Sequence, residues 1–186
     1  MRNELDAINL ILRKQGENPV PSLDIQYPTI AVAQPALDTA RQEILREGFW
    51  FNTMTDIELV PDVDGVVTVP EATLMFYPNN PDYVFDGVGL SYAKTGLPVV
   101  GVSAKGRLIL DKPFEDCPVT ARYAIAYHAA HAVYVTDNGE DSSSQNLAAA
   151  RDRFVLSLGG DHTRARQLNS RNNRLVRKWL WRLGGN

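Results

Sequence analysis

GRLILDKPFEDCPVTARYAIAYHAAHAVY, residues 106–134, contains the change of period on which the reading of this chain turns. Its first part, Arg107–Asp111, is apolar and β-branched and reads as a strand, with Ala104-Lys105-Gly106 before it as a tight hairpin turn. Pro113 and Pro118 bracket a break in regular structure. From Val119 the spacing becomes helical, with Tyr123, Ala126, Tyr127, Ala130, Val133 and Tyr134 on recurring turns. Asp116 fits an N-cap, and Pro118 suits the first turn of the helix that follows. A run of strands therefore ends here and a helical segment begins.

On the N-terminal side the order is reversed. Leu5, Ile8, Ile11 and Leu12 recur at helical spacing, and Gly16 is a natural stop. Pro19 and Pro21 mark a connector. A second helix runs from about Thr29 to Arg46 on Ile30, Ala33, Leu37, Ala40 and Ile44; Pro35 either starts it or kinks it, and Gly48 ends it. FWFNTMTDIELV, residues 49–60, reads as an aromatic strand with Phe49 and Phe51 on one face and Trp50 on the other. Residues 66–70, 90–96 and 98–104 read as further strands, and the Pro-rich stretch 75–89 as loop with at most short strands. Beyond residue 134 a loop leads to a helix from about Ser143 to Leu158, which Gly159 and Gly160 are expected to break.

Helices at both ends with strands between them imply an α+β fold. The simplest assembly is an antiparallel helical bundle of residues 1–48 and 113–160, with residues 49–112 as an inserted small antiparallel β-lobe. Residues 161–186 form a basic amphipathic C-terminal arm. Net charge is −3, but it is unevenly placed: residues 151–186 hold nine Lys or Arg against two Asp, whereas the first 150 hold ten against twenty acids. Such asymmetry suggests an arm with a partner of its own. No apolar run approaches the roughly 18–20 residues of a membrane span, and the N-terminus reads as a helix, with no cleavage site for export. Cys117 is the single cysteine, which excludes an internal disulfide.

The candidate chemistry is thin. His128 and His131 lie three apart on one helical face, but a metal site needs three or four ligands and no carboxylate shares that face. Packing or a subunit contact is the better reading of both. Asp62, Asp64 and Gly65 start like a calcium loop without its remaining ligands, so a turn explains them better. The carboxylate pairs Asp56/Glu58, Asp62/Asp64 and Glu115/Asp116 would be needed for glycoside hydrolysis, yet nothing in their spacing places any of them in a cleft. Phosphate-cradling loops and nucleophile elbows are absent. No cofactor, metal or catalytic residue is expected.

Several segments taken in order resemble the tail tubular protein A family of short-tailed bacteriophages: residues 7–23 (AINLILRKQGENPVPSL), 36–53 (ALDTARQEILREGFWFNT), 59–70 (LVPDVDGVVTVP) and 106–134. The resemblance covers about Leu5 to Phe154. It implies a virion structural protein, not an enzyme: a ring, usually of twelve copies, between the portal protein and the tail nozzle protein. Such a ring continues the DNA channel, helps retain and release the genome, and offers a shoulder to tail fibres. Genomic DNA would pass through the lumen without sequence-specific binding and no membrane would be met. The protein would be assembled in the host cytoplasm and reside in the virion tail. The competing classes are a glycan hydrolase acting on host surface polysaccharide and a nucleic-acid-binding module using the arm.

The arm carries the candidate partner-binding residues. Leu175, Trp179 and Leu183 share one helical stripe, with Val176 and Leu180 alongside and Trp181 nearby; Arg171, Arg174, Arg177, Lys178 and Arg182 hold the rest. A protein groove uses both faces, with Trp179 as anchor and the cations against an acidic rim. A helix this short is marginal in water, so it needs a surface to pack on.

Overall fold

The computed structural model describes residues 1–24 and 27–166. Four helices, α1 (Glu4–Lys14), α2 (Pro28–Arg46), α3 (Val119–Asn138) and α4 (Ser142–Ala165), flank five strands: β1 (Thr53–Leu59), β2 (Thr73–Pro78), β3 (Tyr83–Phe85), β4 (Leu90–Tyr92) and β5 (Ala104–Leu110). The α+β class expected from the sequence is what forms.

All four helices contribute to one hydrophobic core. α3 lies at its centre: Ala121, Ala124, Ile125, Ala126, Ala129 and Ala130 are fully buried. Those positions span about two thirds of the helix circumference at 100° per residue, the pattern of a helix covered on most sides. Small side chains there let the neighbouring helices approach closely. α1 begins on Asn3, whose side chain accepts from the Asp6 N–H at 3.0 Å, and stops before Gly16 at φ +80°. Asn9 fastens the following connector by bonds to both the N–H (2.7 Å) and the carbonyl (3.0 Å) of Val20. α2 starts at Pro28, so Pro35 lies inside the helix and not at its head. The ring removes the N–H that would bond Ala31 O, and both residues are exposed, where water can take its place.

Three expectations fail around the strands. Phe49–Asn52 form a turn, and β1 begins only at Thr53. Gly48 at φ +75° starts this turn, and the Asn52 side chain closes it by accepting from the Phe49 N–H at 2.8 Å. Phe49 and Phe51 stack nearly parallel, with centroids 6.0 Å apart, and Trp50 meets Phe51 edge-on at 5.1 Å, so there is no alternation of faces. The Ala104-Lys105-Gly106 segment is the start of β5 and not a hairpin turn. β5 is the central strand of an antiparallel sheet in the order β1-β5-β2, and Gly106 is there because a Cβ would come within 2.4 Å of Tyr77 O and 2.5 Å of the Phe76 ring. Residues 66–70 and 98–103 supply only isolated bridges, Val66 to Val100 and Thr68 to Gly89 among them, and Ala104 belongs to β5. The stretch 75–89 holds the short strand β3 and the last four residues of β2, within the short strands expected there. A second small core, with Val67, Phe76, Leu90, Val99 and Leu108 buried, underlies the lobe.

The C-terminal side departs as well. Asp116 sits in a 3-10 turn, and α3 is headed by Pro118 without a side-chain cap. α4 opens with a reciprocal capping box between Asp141 and Ser144. It runs through Gly159 and Gly160 to Ala165. Each helical Gly costs about 1 kcal/mol relative to Ala, and tertiary contacts beyond the pair offset this: Asp161 accepts from Thr120 Oγ1 at 2.9 Å, and His162 packs edge-on against Phe49 at 6.0 Å.

Buried Asn52 bonds three backbone groups: the Phe49 N–H, Leu45 O at 2.9 Å and Leu110 O at 3.0 Å. Asn52→Ala is expected to lower unfolding free energy by about 2–4 kcal/mol, since it leaves buried backbone groups without partners. A urea midpoint shift of that size with an unchanged slope would be the signature.

Candidate functional site

The histidine face of α3 opens into a cleft of about 550 Å³ between α2 and α4. Ile44 and Phe49 line its apolar part with Val155; Glu43, Glu47 and Asp152 bring carboxylates, and Gly159 leaves one wall flat. His128 reaches across from α3 to α2, where its Nε2 lies 2.6 Å from Glu43 Oε2. Its side chain is 26% exposed. The Nδ1 atoms of His128 and His162 are buried without a hydrogen-bond partner among the described residues. His131, one turn on, lies near Arg151 on α4. Burial, the Arg151 guanidinium and neighbouring His128 hold its imidazole below the ordinary value; burial and Arg166 do the same for His162.

His162, Glu43 and Asp152 entered no motif in the sequence. Their only signal was helical spacing on three separate segments, and that signal is meaningless until the helices are packed. Among the described residues no group of three His, Cys, Asp or Glu could hold a metal ion. The Cys117 thiol is buried, donates to Pro113 O at 3.4 Å and is pushed up to about 11 by burial, so it is not a thiolate near neutrality.

The acid pairs have structural employment. Asp62 Oδ1 accepts from the Asp64 and Val66 N–H groups at 3.0 and 2.9 Å, closing a turn in which Gly65 has φ +80°. Asp56 takes φ +58° where the register of β1 shifts between Met54 and Ile57. Glu58 bonds Ser103 at 2.9 Å and pairs with Lys105. Glu115 accepts from the Glu4 N–H at 3.0 Å at the head of α1. Asp86 accepts from Val88, Gly89 and Ser91, and these bonds, led by the Gly89 N–H, hold its carboxyl below the usual range.

Exposed valines gather on the lobe, with Val60, Val63, Val66, Val100 and Val102 all uncovered. Among the described residues no helix is long and apolar enough to cross a membrane. The candidate partner-binding residues Arg171, Arg174, Leu175, Arg177, Lys178, Trp179, Leu180, Trp181 and Arg182 lie outside the described residues.

Residues 5–168 match a protein family described as tail tubular protein. A curated relative, "Tail tubular protein A" of Klebsiella phage KP34, is 32% identical over 178 residues, covering 94% of this chain and 95% of that protein.

The lowered His131 and His162 values have a stability consequence. Between those values and about 6.5, the ordinary imidazole value, the unfolded chain binds more protons than the folded one. This part of the stability is complete above about pH 6.5 and is lost as pH falls through the lowered values. The double variant His131→Gln/His162→Gln is expected to lose less stability between about pH 7.5 and about pH 5 than the parent chain, as read by urea midpoints.

Proposed function

The chain belongs to the tail tubular protein family, and from that premise we propose that it is a ring-forming head-to-tail adaptor between the portal protein and the tail nozzle protein. That it is a structural component of a bacteriophage tail follows from the family. The adaptor reading is supported most by the extent of the match, which runs from α1 through the lobe to the end of α4 and so includes every described element. In this reading about twelve copies close a ring by rotation, each making two unlike neighbour contacts. The exposed valines of the lobe and the histidine face of α3 are the surfaces offered to neighbours, with His128 and His131 as contact residues. Tail fibres would rest on the outer shoulder.

The charge distribution fits the same reading. A ring of bodies with excess acid would present a lumen that repels DNA phosphates, so the genome could slide without adhering. The basic arm would engage an acidic rim on a partner, with Trp179 filling a groove and Arg174, Arg177, Lys178 and Arg182 meeting carboxylates. Rim charges of this kind govern encounter rate and salt dependence more than final affinity.

Two measurements test the proposal. Mass measurement of the chain bound to portal-bearing capsids is expected to give a ring of about twelve copies; one or two copies per vertex would refute it. Truncation after Arg166 keeps the Asp161–Thr120 bond and the His162 contacts. The truncated protein is expected to stay folded, with attachment to the capsids lost. Attachment at the level of the full chain would show that the arm is not the docking element.

A further inference from the structure

Pro61-Asp62-Val63-Asp64-Gly65 forms a loop at the end of β1. β1 carries the chain from Thr53, next to Asn52, to Leu59, about 20 Å at an ordinary strand rise. The loop therefore stands well away from the joint between lobe and helices. Val63 at its tip is fully exposed, and Val60, Val66, Val100 and Val102 are uncovered on the segments that adjoin it. Two acids flank the tip valine. Asp62 holds the turn through Oδ1 alone, which leaves Oδ2 unused among the described residues. The Asp64 carboxylate, also exposed, has no ion-pair partner among them.

A groove of about 440 Å³ on the helical body has the complementary make-up. Asp6, Asn9, Leu10, Arg13 and Lys14 line it, a spacing that puts all five on one face of α1. Tyr123 of α3 stands opposite. Leu10 and Tyr123 are half-buried and supply apolar surface. At one end of the groove the polar groups are engaged: Asp6 accepts from the Arg2 N–H at 2.7 Å, and Asn9 is held by Val20. At the other end Arg13 and Lys14 occupy the last turn of α1, where cations favour the helix dipole. Both are exposed, and neither forms an ion pair among the described residues.

We propose that the 61–65 loop of one copy docks in the α1–α3 groove of a second copy, with Val63 against Leu10 and Tyr123 and the Asp62 and Asp64 carboxylates on Arg13 and Lys14. Complementarity selects this occupant. The loop offers an apolar tip between hydrogen-bond acceptors, and the groove offers apolar surface beside two side chains that can only donate. Every subunit carries both. Because the two surfaces differ and lie on different parts of the molecule, the contact can repeat from copy to copy: each subunit gives its loop to one neighbour and its groove to the other, and the series closes when the rotation allows. In subunits whose bodies carry excess acid, it places opposite charges at every joint, against the general repulsion between copies. The inference rests on the ring reading above and names the surfaces through which that ring would close.

Titration of the full chain onto portal-bearing capsids, with copies per vertex read by mass, tests the proposal. Arg13→Glu/Lys14→Glu reverses the sign of the groove. Asp62→Asn/Asp64→Lys makes the loop positive, and Asn keeps the Oδ1 acceptor that the turn needs. Each set is expected to raise the concentration that half-fills the vertex by about tenfold or more. All four changes together restore opposite signs and are expected to bring it back to within about threefold of the parent. Val63→Ser, which leaves the charge alone, should raise it about tenfold. The altered side chains are exposed, so urea midpoints close to the parent's serve as the folding control, and recovery in the combined variant cannot come from damaged folding. A full ring that forms at the parent's concentration with either reversal overturns the contact, as does a combined variant no better than the weaker set. One or two copies of the parent per vertex would remove the ring reading and the contact together; a full parent ring indifferent to the reversals removes the contact alone.

Discussion

The side-chain amide of Asn52 joins the two halves of this molecule. Its NH2 donates to the last turn of α2 at Leu45 O and to β5 at Leu110 O, and its oxygen accepts from Phe49 between them. The backbone completes the link, with the Leu110 N–H donating to Asn52 O at 2.9 Å. A buried amide has up to four hydrogen-bonding positions, and leaving any of them empty costs more than a surface bond gains. The orientation of helix to sheet is thereby set by a polar group that tolerates one arrangement. The aromatic turn, Gly48 and the first pair of β1 with β5 all follow from it.

On that joint the two cores are built differently. The helical core uses alanines on α3 to bring α1, α2 and α4 close, so its stability comes from tight approach of backbones and many small contacts. Tyr123 and Tyr127 stack on Phe154 of α4, with centroids 4.9 and 5.3 Å apart, and give that interface its larger area. The lobe has few strands and a small core. It relies on Asx turns at Asp62 and Asp86 and on Gly106, where two strands and the Phe76 ring leave no room for a Cβ. A unit so built keeps apolar residues uncovered, and their grouping on one lobe is what an assembling protein would present to its neighbours.

The body is acidic and the arm basic. In the cleft between α2 and α4, Glu43, Glu47 and Asp152 stand round an apolar floor, with Glu43 bonded to His128 at 2.6 Å and Asp152 paired with Arg151 at 2.8 Å. Carboxylates with partners on a neighbouring side chain keep the cleft ordered at little electrostatic cost.

The sequence by itself determined the α+β class, the helical periods of α1, α2 and α3, the stop at Gly16 and the split of charge between body and arm. These depend on local spacing and on composition, which need no tertiary information. Family resemblance was legible for the same reason: ordered short motifs survive when read one after another. What only the tertiary structure decided were the places where local preference lost. Phe49–Phe51 look like strand, yet Asn52 folds them into a turn by bonding groups about 60 residues away in sequence. Gly159 and Gly160 look like a helix end, yet contacts from Thr120 and Phe49 carry the helix past them. Gly106 looks like a turn and is the centre of a sheet, because the space it needs is defined by Tyr77 and Phe76 on another strand. The cleft was invisible for the same physical reason: its carboxylates, histidines and glycine come from separate helices, and no spacing along one chain encodes a distance between two.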